Sequence, residues 1–129
     1  VGGENQPADH LDISHYFGMG RCTRTVSAVT GACLMVKRSL WEEVGGFDER
    51  LRVMYNDIDF CLRLRDRGYR NVYSPLAELV HHHSASRSRS LVLPEDTGLF
   101  IQRWDPLRPG GADPYISPHI DSFKELSYR

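Results

Sequence analysis

The segment from Asn56 to Gly68 constrains the fold most, because it carries the signals of an amphipathic helix at both ends. Asn56 can cap it, Asp57 and Asp59 fall in its first turn, and three arginines lie near its end. This order of charges complements the helix dipole, and Gly68 supplies the stop. The apolar residues between form a side wide enough to pack on a sheet. The segment therefore predicts a helix that needs a second layer.

Apolar, β-branched runs on both sides of this helix predict the strands of that layer. Thr25–Lys37 is typical of a buried strand, although Thr30-Gly31 interrupts it where a bulge or a close ligand would need glycine. Tyr69–Tyr73 and Ala77–His82 predict two more strands. Since strands and helices alternate, the sequence predicts an α/β fold with a small mixed sheet, two or three helices and an extended C-terminal tail.

Two further helices are predicted. Leu40–Val44 follows Ser39, a candidate N-cap, and Glu42 completes a capping box, with Gly45 after the last turn. The second helix is predicted over 94–104. We expect one domain, made of an irregular segment over 1–24, a core over 25–92, and a helix with an extended tail over 93–129.

Composition excludes several classes of protein. With 16 Lys and Arg against 17 Asp and Glu, the charge gives no case for nucleic-acid binding. No apolar run approaches the roughly 20 residues that cross a bilayer, and the first residues lack the signals of a secretory leader. The three cysteines form no C-x-x-C pair, so we expect neither a disulfide framework nor a cysteine zinc site, but small hydrophobic side chains in a reducing, cytoplasmic setting.

The first cluster of polar residues that could carry chemistry is Asn56-Asp57-Ile58-Asp59, at a helix start. Helix starts and strand ends are where open α/β folds place ligand sites. The simpler interpretation is that these carboxylates only stabilise the helix dipole. Residues two apart on a helix point roughly 200° apart, so at most one of Asp57 and Asp59 faces a given cleft.

The second cluster is His81-His82-His83 at a predicted strand end, shortly before Arg87 and Arg89. Alternation along a strand puts His81 and His83 on one face and His82 on the other. A solvated polar strand end is the simpler interpretation. As a ligand set, a histidine with oxygen partners suits Mn²⁺ or Mg²⁺, whereas three adjacent histidines do not give zinc spacing.

Short motifs follow one another in a fixed order along much of the chain. They are Val29-Thr30-Gly31-Ala32-Cys33-Leu34-Met35-Val36, Val44-Gly45-Gly46-Phe47-Asp48-Glu49, Asn56-Asp57-Ile58-Asp59-Phe60-Cys61-Leu62-Arg63-Leu64, Gly68-Tyr69-Arg70, Pro75-Leu76-Ala77-Glu78-Leu79, His81-His82, Ser84-Ala85-Ser86-Arg87, Phe100, Arg103-Trp104 and Asp113-Pro114-Tyr115. In this order and spacing they resemble the C-terminal, acceptor-side half of bacterial family 2 glycosyltransferases of the GT-A type. The resemblance covers roughly residues 25–118 and points to the rhamnosyl-type subgroup that builds surface polysaccharides.

The resemblance implies a role for each matching residue. Asp57 takes the position of the general base, while Asn56 stands where the family more often has Glu. The implied acceptor-binding residues are Thr30, Gly31, Asn56 and Asp59. The implied metal ligands are His81 and His82, for Mn²⁺ or Mg²⁺, and the implied diphosphate-binding residues are Arg87 and Arg89.

The resemblance also implies an enzyme that transfers a sugar, with inversion, from a nucleoside-diphosphate sugar to a saccharide or lipid-linked acceptor. The family's N-terminal nucleotide-binding half, with its Asp-x-Asp motif, is not seen before residue 25. We therefore expect this part alone to be inactive, to bind nucleotide-sugars poorly and to self-associate through an exposed sheet edge. We expect the protein in the cytoplasm, at the inner face of the membrane. The alternatives are a non-catalytic sugar- or protein-binding module and a small metal-binding domain based on the histidines.

Overall fold

The computed structural model describes residues 19–80, 93–104 and 113–115. This part of the chain contains two short strands and three α-helices, which confirms an α/β composition. In chain order they are β1 (Arg24–Val26), α1 (Arg38–Val44), α2 (Asn56–Asp66), β2 (Asn71–Tyr73) and α3 (Pro94–Trp104). A short 3₁₀ turn precedes β1, over Met19–Arg21, and another forms at Gly31–Cys33. The GT-A architecture stays a prediction.

Within the described residues the sheet is smaller than the sequence predicted, and antiparallel rather than mixed. β1 and β2 form a two-stranded sheet in which Thr25 lies opposite Val72. Each strand has one neighbour among the described residues, so self-association through an open edge stays a prediction. Residues 77–80, predicted to begin another strand, have no regular structure. The remaining two residues of that predicted strand lie outside the described part.

The long strand predicted over Thr25–Lys37 is also wrong, because β1 ends at Val26. The chain turns at Gly31–Cys33, where the Thr30 hydroxyl accepts a hydrogen bond from the Ala32 N–H at 3.3 Å. A side-chain acceptor of this kind offers the backbone an alternative to a sheet ladder. The Thr30-Gly31 interruption in the apolar run therefore marks a real turn.

Helix α1 begins one residue before the predicted cap. Lys37 occupies the N-cap position without a side-chain hydrogen bond, and Ser39 lies inside the first turn. Glu42 does not complete a capping box but pairs with Arg38, one turn away, at 2.8 Å. The predicted stop is confirmed, since Gly45 is left-handed with φ 83° and its N–H reaches the last carbonyls of the helix.

Helix α2 likewise differs from the prediction at its start and agrees at its end. Asn56 is its first residue rather than its cap, and the N-cap position belongs to Tyr55. At the other end Gly68 has φ 84°, and its N–H donates to the Arg65 carbonyl at 2.8 Å. The Tyr69 N–H donates to the Leu64 carbonyl at 3.1 Å, which completes the closing turn.

The core lies between α1 and α2. Its buried members are Val44, Phe60 and Leu64, and the partly buried side chains packed against them are Leu34, Val36, Leu40, Trp41 and Phe47. The rings of Trp41 and Phe47 meet edge to face at 5.0 Å, and Phe47 meets Phe60 in the same way at 5.5 Å. Helix α2 thus packs against α1 through Phe60 and Leu64.

Asn71 joins the sheet to α2. Its buried amide group donates to the Ser27 carbonyl at 2.8 Å and to the Cys61 carbonyl at 2.9 Å. Of the three free cysteines, Cys61 is buried, whereas Cys22 and Cys33 are exposed. Burial raises the pKa of the Cys61 thiol, which keeps it neutral.

Candidate functional site

Asp57 lies half-buried in the first turn of α2, with both carboxylate oxygens oriented by backbone N–H groups. Its Oδ2 accepts a hydrogen bond from the Gly31 N–H at 2.7 Å, and its Oδ1 accepts one from the Ile58 N–H at 2.8 Å. A Cβ added at Gly31 would lie 3.2 Å from the Asp57 Cβ, so the close approach favours glycine. The fold thereby brings Asp57 against the Thr30-Gly31 turn.

Polar groups surround this carboxylate. Thr30 is exposed beside Gly31, and the half-buried Asn56 accepts a hydrogen bond from the Asp57 N–H through its side-chain oxygen, at 2.8 Å. Hydroxyl, amide and carboxylate groups are suited to sugar hydroxyls, which both donate and accept hydrogen bonds. Of the four residues that the resemblance placed in one site, the structure brings Asp57 into contact with Gly31, and Thr30 and Asn56 are their neighbours along the chain.

Asp59 does not reach that surface. Its side chain is 0% exposed, and its Oδ2 accepts a hydrogen bond from Arg63 Nε at 2.8 Å. Its Oδ1 accepts hydrogen bonds from Arg103 Nη1 at 2.6 Å and from Trp104 Nε1 at 2.9 Å. The structure therefore places this carboxylate in the interior, on the opposite side of α2 from the predicted acceptor contacts.

The two arginines on Asp59 extend the network to neighbouring segments. Arg63 also donates to the Val44 and Gly46 carbonyls, at 2.8 and 2.6 Å, and so closes the end of α1. Arg103 also pairs with Asp48 at 2.7 Å. Hydrogen bonds from Arg50 and then from Arg103 hold the pKa of Asp48 well below its usual range, so it stays ionised. Asp59 thus lies at the centre of contacts among α1, α2 and α3.

Sequence reasoning missed Asp96, which anchors the loop before α2. This side chain is only 1% exposed. Its carboxylate accepts backbone hydrogen bonds from Met54 at 2.8 Å, Val53 at 2.8 Å and Arg52 at 3.2 Å. Those bonds, Met54 and Val53 first, lower the pKa of Asp96. No signal in the sequence identified these partners, because they lie more than 40 residues away along the chain.

Asp96 should make the free energy of unfolding depend on pH. The pKa of Asp96 is lower in the folded state than the value of about 3.9 in an unfolded chain. Its contribution to folding stability is therefore complete above the unfolded value and is lost as the pH falls through the folded pKa. Asp96→Asn turns an amide N–H group towards backbone donors and removes this contribution. We expect a higher thermal midpoint for the wild type at neutral pH, with the gap narrowing below about pH 4.

Circular dichroism melts of both proteins from neutral pH to about pH 3 measure this gap. Asp48 and the other carboxylates are common to both proteins, so the difference isolates Asp96. A gap that keeps its size across the whole pH range contradicts the prediction.

Tyr55 holds an uncommon backbone conformation directly before Asn56 and Asp57. Its φ is 65°, and among the described residues it is the one non-glycine with positive φ. A left-handed conformation costs an L-residue about 1–2 kcal/mol, so surrounding contacts must maintain it. Its ring stacks on Phe100 at 4.6 Å, and its carbonyl accepts the Asp59 N–H at 2.7 Å.

The predicted metal and diphosphate ligands lie outside the described residues. They are His81, His82, Arg87 and Arg89, and His83 lies there too. Within 19–80, 93–104 and 113–115, no group of three or more His, Cys, Asp or Glu side chains could hold a metal ion. No helix in these ranges is long and apolar enough to cross a membrane.

Comparison with known proteins gives a consistent family. Residues 7–105 match the family described as Glycosyl transferase family group 2. An uncharacterised protein of Sinorhizobium fredii is 39% identical over an alignment of 120 residues, which covers 88% of this chain and 13% of that protein. The O-antigen biosynthesis protein RfbC of Myxococcus xanthus is 38% identical over 108 residues, which are 84% of this chain and 8% of that protein.

A shorter match extends to a protein named for its reaction. The N-acetylglucosaminyl-diphospho-decaprenol L-rhamnosyltransferase of Mycobacterium tuberculosis is 44% identical over 66 residues, which are 51% of this chain and 22% of that enzyme. The chain therefore spans less than a quarter of the length of each of these relatives. No solved structure matches the chain at a significant level.

Proposed function

Because the chain belongs to the Glycosyl transferase family group 2, we propose that it is the acceptor-side part of a glycosyltransferase with Asp57 as its general base. The reaction transfers a sugar from a nucleoside-diphosphate sugar to a hydroxyl of a saccharide or lipid-linked acceptor, with inversion. The observation that carries the proposal is the Asp57 carboxylate, half-buried beside an exposed turn and oriented by the Gly31 and Ile58 N–H groups.

The chemistry requires a group of this kind. The acceptor oxygen forms a bond to the anomeric carbon while the bond from that carbon to the diphosphate breaks, through an oxocarbenium-like state. The hydroxyl proton passes to a carboxylate within hydrogen-bond reach. Each Asp57 oxygen accepts one backbone hydrogen bond here, and a carboxylate oxygen has a second lone pair for that proton.

The neighbours of Asp57 support the acceptor contacts. The exposed Thr30 hydroxyl and the Asn56 side chain lie next to the residues that touch the base. We propose that these two groups bind acceptor hydroxyls. Gly31 has no side chain that would hinder the approach of the acceptor. Asp59 is not included, because its carboxylate is buried among Arg63, Arg103 and Trp104.

A transfer assay on the full-length protein tests the function. UDP- and dTDP-sugars are offered with and without saccharide or lipid-linked acceptors, and release of the nucleoside diphosphate is followed. We expect acceptor-dependent release and a product whose anomeric configuration, read by NMR, is inverted.

Saccharide binding without release across the panel would favour the non-catalytic binding module, and tight stoichiometric zinc binding would favour the metal-binding domain. Retained configuration would exclude the proposed mechanism.

We also propose that His81 and His82 would hold Mn²⁺ or Mg²⁺ and that Arg87 and Arg89 would bind the diphosphate. The ion, when bound, would supply positive charge to the leaving diphosphate. Only the family resemblance supports this proposal. In the full-length enzyme, His81→Ala is expected to raise the Mn²⁺ concentration needed for half-maximal rate more than His83→Ala does. Manganese titrations of the two variants measure the difference, and an equal or reversed effect contradicts the assignment.

A further inference from the structure

One face of α3 contacts the chain before and after Asp57. Asp96 accepts the backbone N–H groups of 52–54, and Phe100 stacks on Tyr55 at 4.6 Å. Arg103 and Trp104 then hold Asp59, two residues beyond Asp57. Phe100 follows Asp96 by four residues, and Arg103 and Trp104 follow Phe100 by three and four. These spacings place the contacts on one face of the helix. The entrance to α2 is therefore held by side chains from a distant part of the sequence.

The backbone of Tyr55 sets the direction in which α2 begins. Its left-handed backbone, with φ 65°, turns the chain into the helix, and its carbonyl accepts the first α2 hydrogen bond, from the Asp59 N–H. An L-residue does not favour this conformation by itself. Two contacts oppose a return of this backbone to a more favourable conformation. Phe100 stacks on the Tyr55 ring, and the Asp96 carboxylate binds the residues just before it.

We propose that Tyr55 is a positioning residue, whose ring, stacked on Phe100, holds the turn that places the Asp57 carboxylate at the Gly31 N–H. The inference rests on the proposed function, because it concerns the place of the proposed base. The distance between Asp57 Oδ2 and the Gly31 nitrogen is 2.7 Å, and a displacement of about 1 Å can cost about 10²-fold in rate. Tyr55 therefore acts on the rate through Asp57 and touches no reacting atom.

A double-mutant cycle in the full-length enzyme tests this inference. Tyr55→Gly keeps access to positive φ but removes the ring, which frees the turn to adopt other conformations. We expect kcat to fall about tenfold or more, while the KM for the donor changes less than about twofold. In an Asp57→Asn background, the same exchange should lower kcat less than about twofold, since the carboxylate through which it acts is gone.

Two further variants sharpen the cycle. The conservative exchange Tyr55→Phe keeps the stacking ring and is expected to restore most of the lost rate. Tyr69→Gly makes the same side-chain deletion at an exposed position after α2 and should leave kcat within about twofold of wild type. If Tyr55→Gly does not fold, Phe100→Ala breaks the same stack, and the cycle with Asp57→Asn is repeated with it.

The outcomes separate this inference from the proposed function. A Tyr55→Gly enzyme with unchanged kcat, beside an inactive Asp57→Asn enzyme, overturns the inference alone. An equal fold-loss in both backgrounds also overturns it, because a purely structural defect would lower the rate whichever residue stands at position 57. An Asp57→Asn enzyme of normal rate overturns the proposed function and, with it, the positioning role.

Discussion

Replacing Asp57 with Asn in the full-length enzyme is expected to lower kcat by about 10²-fold or more, on the scale of losing a general base. The amide is nearly isosteric with the carboxylate but takes no proton from the acceptor hydroxyl. Its NH₂ group would also face a backbone N–H where Oδ2 now accepts one from Gly31. Initial rates of nucleoside-diphosphate release at saturating acceptor measure the change.

The matched control is Asp66→Asn, the same exchange at the exposed end of the same helix. We expect its kcat to stay within about twofold of wild type, because exposed substitutions away from special contacts have small effects. Thermal melts of both variants show whether each is folded. A folded Asp57→Asn enzyme with near-normal turnover would mean that another group takes the proton.

The largest effect on stability is expected at Asp59. Truncation to Ala leaves Arg63 and Arg103, both mostly buried, without their shared carboxylate. Removing one partner of a buried ion pair costs about 3–5 kcal/mol, which is a large part of the 5–15 kcal/mol that stabilises a typical domain. We therefore expect Asp59→Ala to unfold in much less denaturant. Guanidinium titration followed by tryptophan fluorescence measures the loss, since Trp104 bonds directly to Asp59.

Two comparisons test whether the carboxylate itself is responsible. Asp66→Ala removes an exposed carboxylate from the same helix, and its free energy of unfolding should change by no more than about 0.5 kcal/mol. Asp59→Asn keeps an oxygen for Arg103 and Trp104 but turns an amide group towards the donor of Arg63. We expect a substantial but smaller loss from it. A loss below about 1 kcal/mol in Asp59→Ala would show that the arginines find other partners.

The sequence predicted what depends on local signals. The helix over 94–104 and the stops at Gly45 and Gly68 are confirmed, because each rests on residues that are neighbours along the chain. Helical geometry also predicted that Asp57 and Asp59 would face different surroundings. The structure shows one half-buried beside a turn and the other fully enclosed.

What could not be predicted depends on partners that are far apart in sequence. Asp59 and Arg63 pair at an i,i+4 spacing within α2, but Arg103, the other arginine on Asp59, lies 44 residues away. The start of α2 was assigned to Asn56, a favoured cap residue, because nothing local predicts a left-handed Tyr55. The stack on Phe100 and the Asp96 anchor, both distant in sequence, support that turn.

The Asp96 anchor has a consequence for which substitutions the loop before α2 can accept. It holds the loop by the backbone N–H groups of Arg52, Val53 and Met54, and therefore does not depend on the identity of their side chains. Proline, which has no N–H, is the exchange that would break a bond directly. These three positions stand just before the proposed base along the chain, and exchanges of their side chains other than to proline are expected to leave the Asp96 hydrogen bonds in place.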